Sequence, residues 1–351
     1  MESPLWTETH APALADLPQP EVRDYLERAV NEPINLVLHG PEGSGKTAAV
    51  RALAREAHDD PDNDLVEINV ADFFDRTKKE IREDPRFSNF LQGQTEFSKQ
   101  YRQGSGKKKY KRNWSKREMI NHVLKEYAGY APSSGSYKTI VLDNAESIRE
   151  DFQQALRRVM EQYHETTQFV ITTRQPTKLI PPIKSRCFPV SMRKPTSGEI
   201  ETILRSILDE EEVEYDDGGI QLISGYVKGD VRKAILYAQL LYEQEDRVHS
   251  DDYEVIREFG ISGRITDMLD KAERGDFNDA RKDLDDLLVD DGYSGEEVLE
   301  AIMEAFRQNR YSGDELAELV VLAAEIDMDL ARGTSDRLQI SHLLAELGAE
   351  S

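Results

Sequence analysis

Up to Pro195, apolar residues come in short runs separated by segments with helical spacing. Residues 34–39, INLVLH, follow Pro33 as a compact apolar run and predict a buried strand. The segment that begins at Thr47, TAAVRALAREAH, repeats its apolar positions at helical intervals. LVEINV at 65–70 predicts a second strand, and YKTIVLD at 137–143 a third, reached from a Gly/Ser-rich loop. Residues 149–163 predict a helix with Phe152, Leu156, Val159 and Tyr163 on one face. QFVITT at 168–173 predicts a fourth strand, and SRCFPVSM at 185–192 contains a fifth. Strands alternating with helices predict an α/β fold built on a parallel sheet.

After Pro195 the period changes. Residues 197–209, 219–225 and 229–244 form one helical group. A second runs from about 262 to 348, interrupted at Gly275, Asp291-Gly292, Ser312-Gly313 and Gly333. No convincing strand and no fixed-period repeat stands out there. The expected organisation is an α/β domain over residues 1–194, a small helical domain over 195–258 and an all-helical domain over 259–351. The polar residues 84–117, with Gly104-Ser105-Gly106 in their middle, interrupt this plan and read as an insertion, partly or wholly mobile. A chain of 351 residues suits two or three domains at roughly 150 residues each.

Charge changes the picture more than composition does. The chain carries 45 basic and 68 acidic residues, a net charge of -23. Such a balance ordinarily opposes contact with nucleic acid or an anionic membrane. The acid is widely dispersed, as at Asp59-Asp60, Glu210-Glu211-Glu212, Asp216-Asp217 and Asp285-Asp286. That dispersal favours a solvated surface suited to a very salty cytoplasm over repulsion of one partner. The single cysteine, Cys187, allows no internal disulfide and fits a reducing compartment. MESPLWTETH lacks a signal-peptide layout, and no run approaches the ~18 apolar residues of a membrane span. A soluble cytoplasmic protein with no membrane partner is expected.

The sharpest chemistry lies between the first strand and its helix. Gly40-Pro41-Glu42-Gly43-Ser44-Gly45-Lys46-Thr47 fits the phosphate-loop pattern G-x-x-x-x-G-K-[ST]. Glycines let the backbone curl so that its N–H groups face phosphate oxygens. Lys46 would reach the β- and γ-phosphates of ATP, and the Thr47 hydroxyl would ligate Mg2+. Asp143, at the end of the third strand, would hold the Mg2+ water shell in the Walker B role.

Taken in order, PLWTE, GPEGSGKT, TIVLDNAESI, QFVITTRQPTKLIPPIKSRC and GDVRKA resemble the small subunits of replication factor C, the clamp loader of archaea and eukaryotes. The likeness covers residues 1–83 and 118–258 and, more loosely, 260–350, where DLARGTSDRLQISHLLAEL resembles the collar helices. It implies an AAA+ P-loop core, a helical lid and a helical collar. Arg186, in Ser185-Arg186-Cys187, would act as an arginine finger in trans on a neighbour's ATP. Arg232 would be the lid's sensor arginine. Trp6 and Thr7 would lie near the adenine, and Cys187 would be a small buried hydrophobe. Partners would be the large and small subunits of the complex, a sliding clamp and primer–template DNA. The archaeal type is implied, and the dispersed acid points to a haloarchaeal one. Two rivals are another AAA+ ATPase of origin recognition or branch migration, and a structural subunit that binds no nucleotide.

This chain departs from the family pattern at three places. Asn144 stands where a water-activating Glu usually follows the Walker B Asp. Asn hydrogen-bonds water but cannot take its proton. Glu146, two residues on, would face the same way in an extended segment. Arg174 stands at the sensor position, where Asn is usual, and PLWTETHAP lacks the expected basic residues. These changes predict a subunit that binds ATP, hydrolyses it slowly or not at all, and donates Arg186 to a catalytic neighbour. Lys99, Arg102, Lys107, Lys108, Lys109, Lys111, Arg112, Lys116 and Arg117 are interleaved with Tyr101, Tyr110 and Trp114. They read either as a contact for DNA phosphate and bases, or as a surface loop or patch for an acidic subunit.

Overall fold

A computed structural model describes residues 5–91, 114–133, 135–251, 255–256, 261–307, 311, 313–333 and 335–349. The chain divides into two compact units, Met1–Val213 with Ile223–Leu240, and Glu214–Leu222 with Leu241–Ser351.

The first unit is built on five strands, β1 (Leu36–His39), β2 (Leu65–Asn69), β3 (Lys138–Asp143), β4 (Thr167–Thr173) and β5 (Phe188–Ser191). All pair in parallel, in the order β2-β3-β4-β1-β5. Alternate side chains point to opposite faces of a strand, and both faces here are apolar. Val37, Ile140, Leu142, Phe169 and Ile171 join one core with Phe152, Leu156, Val159 and Met160. Leu36, Leu38, Val141, Val170 and Val190 join another with Leu14, Val22, Leu26, Val50 and Leu53. Each such Leu, Ile or Phe contributes roughly 1.5–3 kcal/mol by leaving water. The expected helix over 149–163 forms as Glu150–Gln162, with Phe152, Leu156 and Val159 buried and Tyr163 partly so. Both faces are covered except at the edge strand β5, where Phe188, Pro189 and Ser191 are exposed, and ligands of such sheets gather at the carboxyl ends.

The ends of the expected insertion are tied to this core. Helix Pro85–Leu91 buries Phe87 and Leu91 against the cluster that includes Met119, Ile120 and Val123. Helix Lys116–Gly129 starts with a capping box between Ser115 and Glu118. Trp114 packs partly buried on the same core, with its ring 4.5 Å from that of His122. Lys116 donates to the Phe74 carbonyl, and Arg117 meets Asp151 at 2.6 Å. Three members of the basic and aromatic set are therefore engaged by the fold itself. Lys99, Tyr101, Arg102, Lys107, Lys108, Lys109, Tyr110, Lys111 and Arg112 lie outside the described residues.

The second unit is mainly helical. Helices Ile261–Glu273, Phe277–Asp285, Gly295–Ala305, Gly313–Ala331 and Asp336–Ala349 bury Ile265, Leu269, Leu284, Ile302, Phe306, Ile326, Ile340 and Leu344 together. Gly275, Gly292 and Gly333 fall between elements, as the spacing predicts. The expectation of no strand after Pro195 needs correction. Glu214–Tyr215 and Arg247–Val248 pair in parallel, and Val248 is fully buried. Two-residue strands are too short to leave a period-two signal.

Candidate functional site

The loop after β1 is shaped by close backbone approach. A Cβ on Gly40 would lie 2.0 Å from the Met192 carbonyl oxygen, so only glycine lets β1 leave the sheet beside the end of β5. Gly45, at φ 88°, caps helix Lys46–Ala57 in the left-handed region. A residue that sequence reading passed over anchors the loop from outside. Gln19 is fully buried, and its amide donates to the Ser44 carbonyl at 3.0 Å and the Arg193 carbonyl at 2.9 Å. It sits in an extended link between Pro18 and Pro20, just before helix Pro20–Asn31, and carries no motif that would have singled it out.

Lys46 folds over the loop. Its buried ammonium donates to the carbonyls of Gly40 at 3.0 Å and Pro41 at 2.7 Å. Burial lowers its pKa, and the nearby carboxylates of Asp143, Glu146 and Glu42 pull it back up. The Thr47 hydroxyl donates to Asp143 Oδ2 at 3.1 Å. Asp143 Oδ1 accepts from the Thr172 hydroxyl and, at 3.2 Å, from the Asn144 N–H. The strand order explains this convergence. β4 stands between β1 and β3, so its last residues lie between the loop and Asp143.

The segment from Asn144 to Glu146 is not extended, so the expectation that the two face the same way loses its basis. Asn144 takes a left-handed conformation at φ 54°, and Ala145–Ser147 form a 3-10 turn. Glu146 Oε2 accepts from the Thr173 hydroxyl at 3.0 Å and the Arg174 N–H at 3.2 Å. Its Oε1 accepts from Arg174 Nε at 2.8 Å. Burial opposes the charge on Glu146, but the bonds from Arg174 and Thr173 outweigh it and leave the carboxyl below its usual pKa. Arg174 Nη1 meanwhile donates to Glu42 Oε2, in the loop, at 2.9 Å.

The remaining candidates divide. Asp230 caps helix Val231–Glu245 by accepting from the Lys233 N–H at 3.1 Å. Its carboxyl carbon lies only 2.7 Å from where a Cβ on Gly43 would fall, so this helix starts against the loop. Arg232 sits exposed in the first turn. Trp6 is buried, and its backbone N–H donates to Gln239 Oε1 at 2.9 Å. Thr7 is partly buried beside it. Among the described residues Arg186 makes no hydrogen bond or ion pair with residues 40–47. Its guanidinium donates to Glu161 at 2.5 Å, the Pro182 carbonyl at 2.8 Å and the Ser185 hydroxyl at 3.3 Å. Cys187 is buried, which pushes its thiol up to about 12.

The family model described as the replication factor C C-terminal domain matches residues 263–346, and that of the DNA polymerase III delta subunit matches residues 27–196. The replication factor C small subunit of Picrophilus torridus is 28% identical over 349 residues, 98% of this chain and 96% of the relative. That of Methanococcus maripaludis is 31% identical over 232 residues, 66% of this chain and 74% of the relative. The chain belongs to the replication factor C small subunit family. A solved DNA polymerase III gamma subunit-related protein from Thermotoga maritima matches this replication factor C chain with a TM-score of 0.55 at 14% identity. The match spans 93% of this chain and 98% of that one, and at such identity it is a likeness of fold. The expected AAA+ layout, a parallel α/β core followed by a helical C-terminal region, is the observed one.

The donor set in this replication factor C chain suits a magnesium-bound triphosphate. Among the described residues no three His, Cys, Asp or Glu side chains gather to hold a metal alone. Mg2+ usually takes one or two protein oxygens and completes its shell with phosphates and water. Thr47 and Asp143 would be two such oxygens, and they lie within hydrogen-bond distance of each other. The loop N–H groups and Lys46 would supply the complementary positive side.

Proposed function

We propose that this replication factor C small subunit binds ATP with Mg2+ and works in a clamp loader. That loader would open a sliding clamp and load it on primer–template DNA with the large and other small subunits. The Thr47–Asp143 contact beneath the phosphate loop carries the reading. Loop residues 40–45 would hold phosphate through backbone N–H groups, and Lys46 would move its ammonium from the loop carbonyls to phosphate oxygens. Thr47 and Asp143 would hold Mg2+ and its water. Trp6 and Thr7 would border the adenine, and Arg232 would reach the phosphates from the lid. Bound Mg2+ would supply charge neutralisation on the triphosphate. Residues 1–194 would form the nucleotide-binding domain, 195–258 the lid and 259–351 the collar. A cytoplasmic, haloarchaeal setting accords with the net charge of -23.

Its own turnover would be weak. Asn144 cannot accept a proton from water. Glu146 is the nearest substitute, yet both its oxygens are occupied by Thr173 and Arg174. Arg186, held by Glu161, would instead serve the ATP of a neighbouring subunit. Single-turnover hydrolysis in the assembled complex, with the partners' sites disabled, tests this reading. ATP that stays bound and uncleaved in the wild type but is cleaved in Asn144→Glu supports it. Rapid cleavage by the wild type, lost in Lys46→Ala, refutes the weak-turnover reading.

A further inference from the structure

Arg174 follows β4 and joins two carboxylates of opposite exposure. The Glu146 side chain is 8% exposed and that of Glu42 is 79% exposed. Glu146 receives both Nε and the backbone N–H of Arg174, with the Thr173 hydroxyl as a third donor. Glu42 receives Nη1 alone. Arg174 is itself 52% exposed, so what separates the two pairs is the carboxylate: several donors converging on the buried Glu146 hold more firmly than one donor on the exposed Glu42, whose single-point pair is weak and screened by salt. Glu42 is therefore the partner that Arg174 gives up first.

The location gives that exchange a consequence. Glu42 belongs to the phosphate loop itself, and the Gly40 N–H donates to the carbonyl of Thr173, next to Arg174, at 3.3 Å. Glu146 and Glu42 both act on the charge of Lys46, as does Arg174 with the opposite sign. An anionic side chain on this loop competes with phosphate for the same cations. We propose that Glu42, Arg174 and Glu146 form a charge latch on the phosphate loop, in which Arg174 stays on Glu146 and exchanges Glu42 for the terminal phosphate of a nucleoside triphosphate. Contact of Arg174 with the terminal phosphate is what its sensor position already implies; the new element is Glu42, a competitor built into the loop that raises the threshold for triphosphate more than for diphosphate. This rests on the reading that the loop binds nucleotide.

The test measures dissociation constants of the full chain, with Mg2+, for a non-hydrolysable ATP analogue and for ADP. Arg174→Ala is expected to weaken the triphosphate analogue ~10-fold or more, the loss of one charge-assisted contact, with ADP changed far less. Glu42→Gln, at an exposed position that leaves Glu146 paired, is expected to tighten the analogue several-fold and ADP little. Equal changes for the two nucleotides, or none in either variant while Lys46→Ala abolishes binding, overturn the latch alone. A wild type that binds neither nucleotide overturns the nucleotide reading and the latch with it.

Discussion

The Thr47 hydroxyl lies 3.1 Å from Asp143 Oδ2, which joins the first turn after the phosphate loop to the end of β3 across 96 positions of sequence. Both oxygens belong to groups that ligate hard cations. Asp143→Asn is expected to weaken magnesium-dependent ATP binding ~10-fold or more, on the scale of one lost charge-assisted contact. Magnesium-free binding should change less. Titration of a fluorescent ATP analogue with and without Mg2+ checks this, and equal losses in both conditions would count against a metal role.

Arg186 is parked on Glu161 at 2.5 Å, with the Pro182 carbonyl as a second acceptor. If it serves a neighbour, Arg186→Ala should lower the neighbour's turnover in the complex by ~10³ or more while this subunit's nucleotide affinity holds. Glu161→Gln should leave that turnover intact or raise it, because the restraint is weakened. Turnover by the assembled complex, with each variant introduced in this subunit only, reads both effects.

Gln19 offers a test of the loop's anchor. Its amide donates to two backbone carbonyls from a fully buried position. Gln19→Leu would leave the Ser44 and Arg193 carbonyls without that donor, at a cost of about 1–3 kcal/mol. Urea denaturation should show the loss, and nucleotide affinity should fall with it because Ser44 belongs to the phosphate loop.

Lys138 predicts a pH dependence of stability. It lies buried at the start of β3, donating to the carbonyls of Tyr127 and Tyr130, and burial lowers its pKa to about 8 against a partial offset from Asp64. The folded state releases this proton near pH 8, and the unfolded chain keeps it until about 10.5. Between those values the unfolded state binds more protons, so stability rises with pH. Burial raises the pKa of Tyr127 and Tyr137, which gives the opposite slope above about pH 10. Unfolding midpoints should therefore climb from pH 8 to about 10, and Lys138→Met should flatten that climb.

The parallel core was legible because its signals are local. The central strands are short runs with alternate residues on two apolar faces, and GPEGSGKT is contiguous with the strand and helix it requires. The helical breaks at Gly275 and Gly333 were legible for the same reason. Two-residue pairing at Glu214–Tyr215 and Arg247–Val248 was not, since no period fits in so short a span.

Family membership and the phosphate loop came from linear order alone. Only the tertiary structure decided that Gln19 holds Ser44, that Glu161 restrains Arg186, and that Arg174 binds Glu146 and Glu42 together. The left-handed turn at Asn144 likewise directed Glu146 to Arg174, where an extended reading kept it beside Asn144. Strand order, which inserts β4 between β1 and β3, brings these distant residues into contact. Hydrophobic periodicity records which face of an element is buried, and it carries no record of which distant polar groups meet at the strand ends.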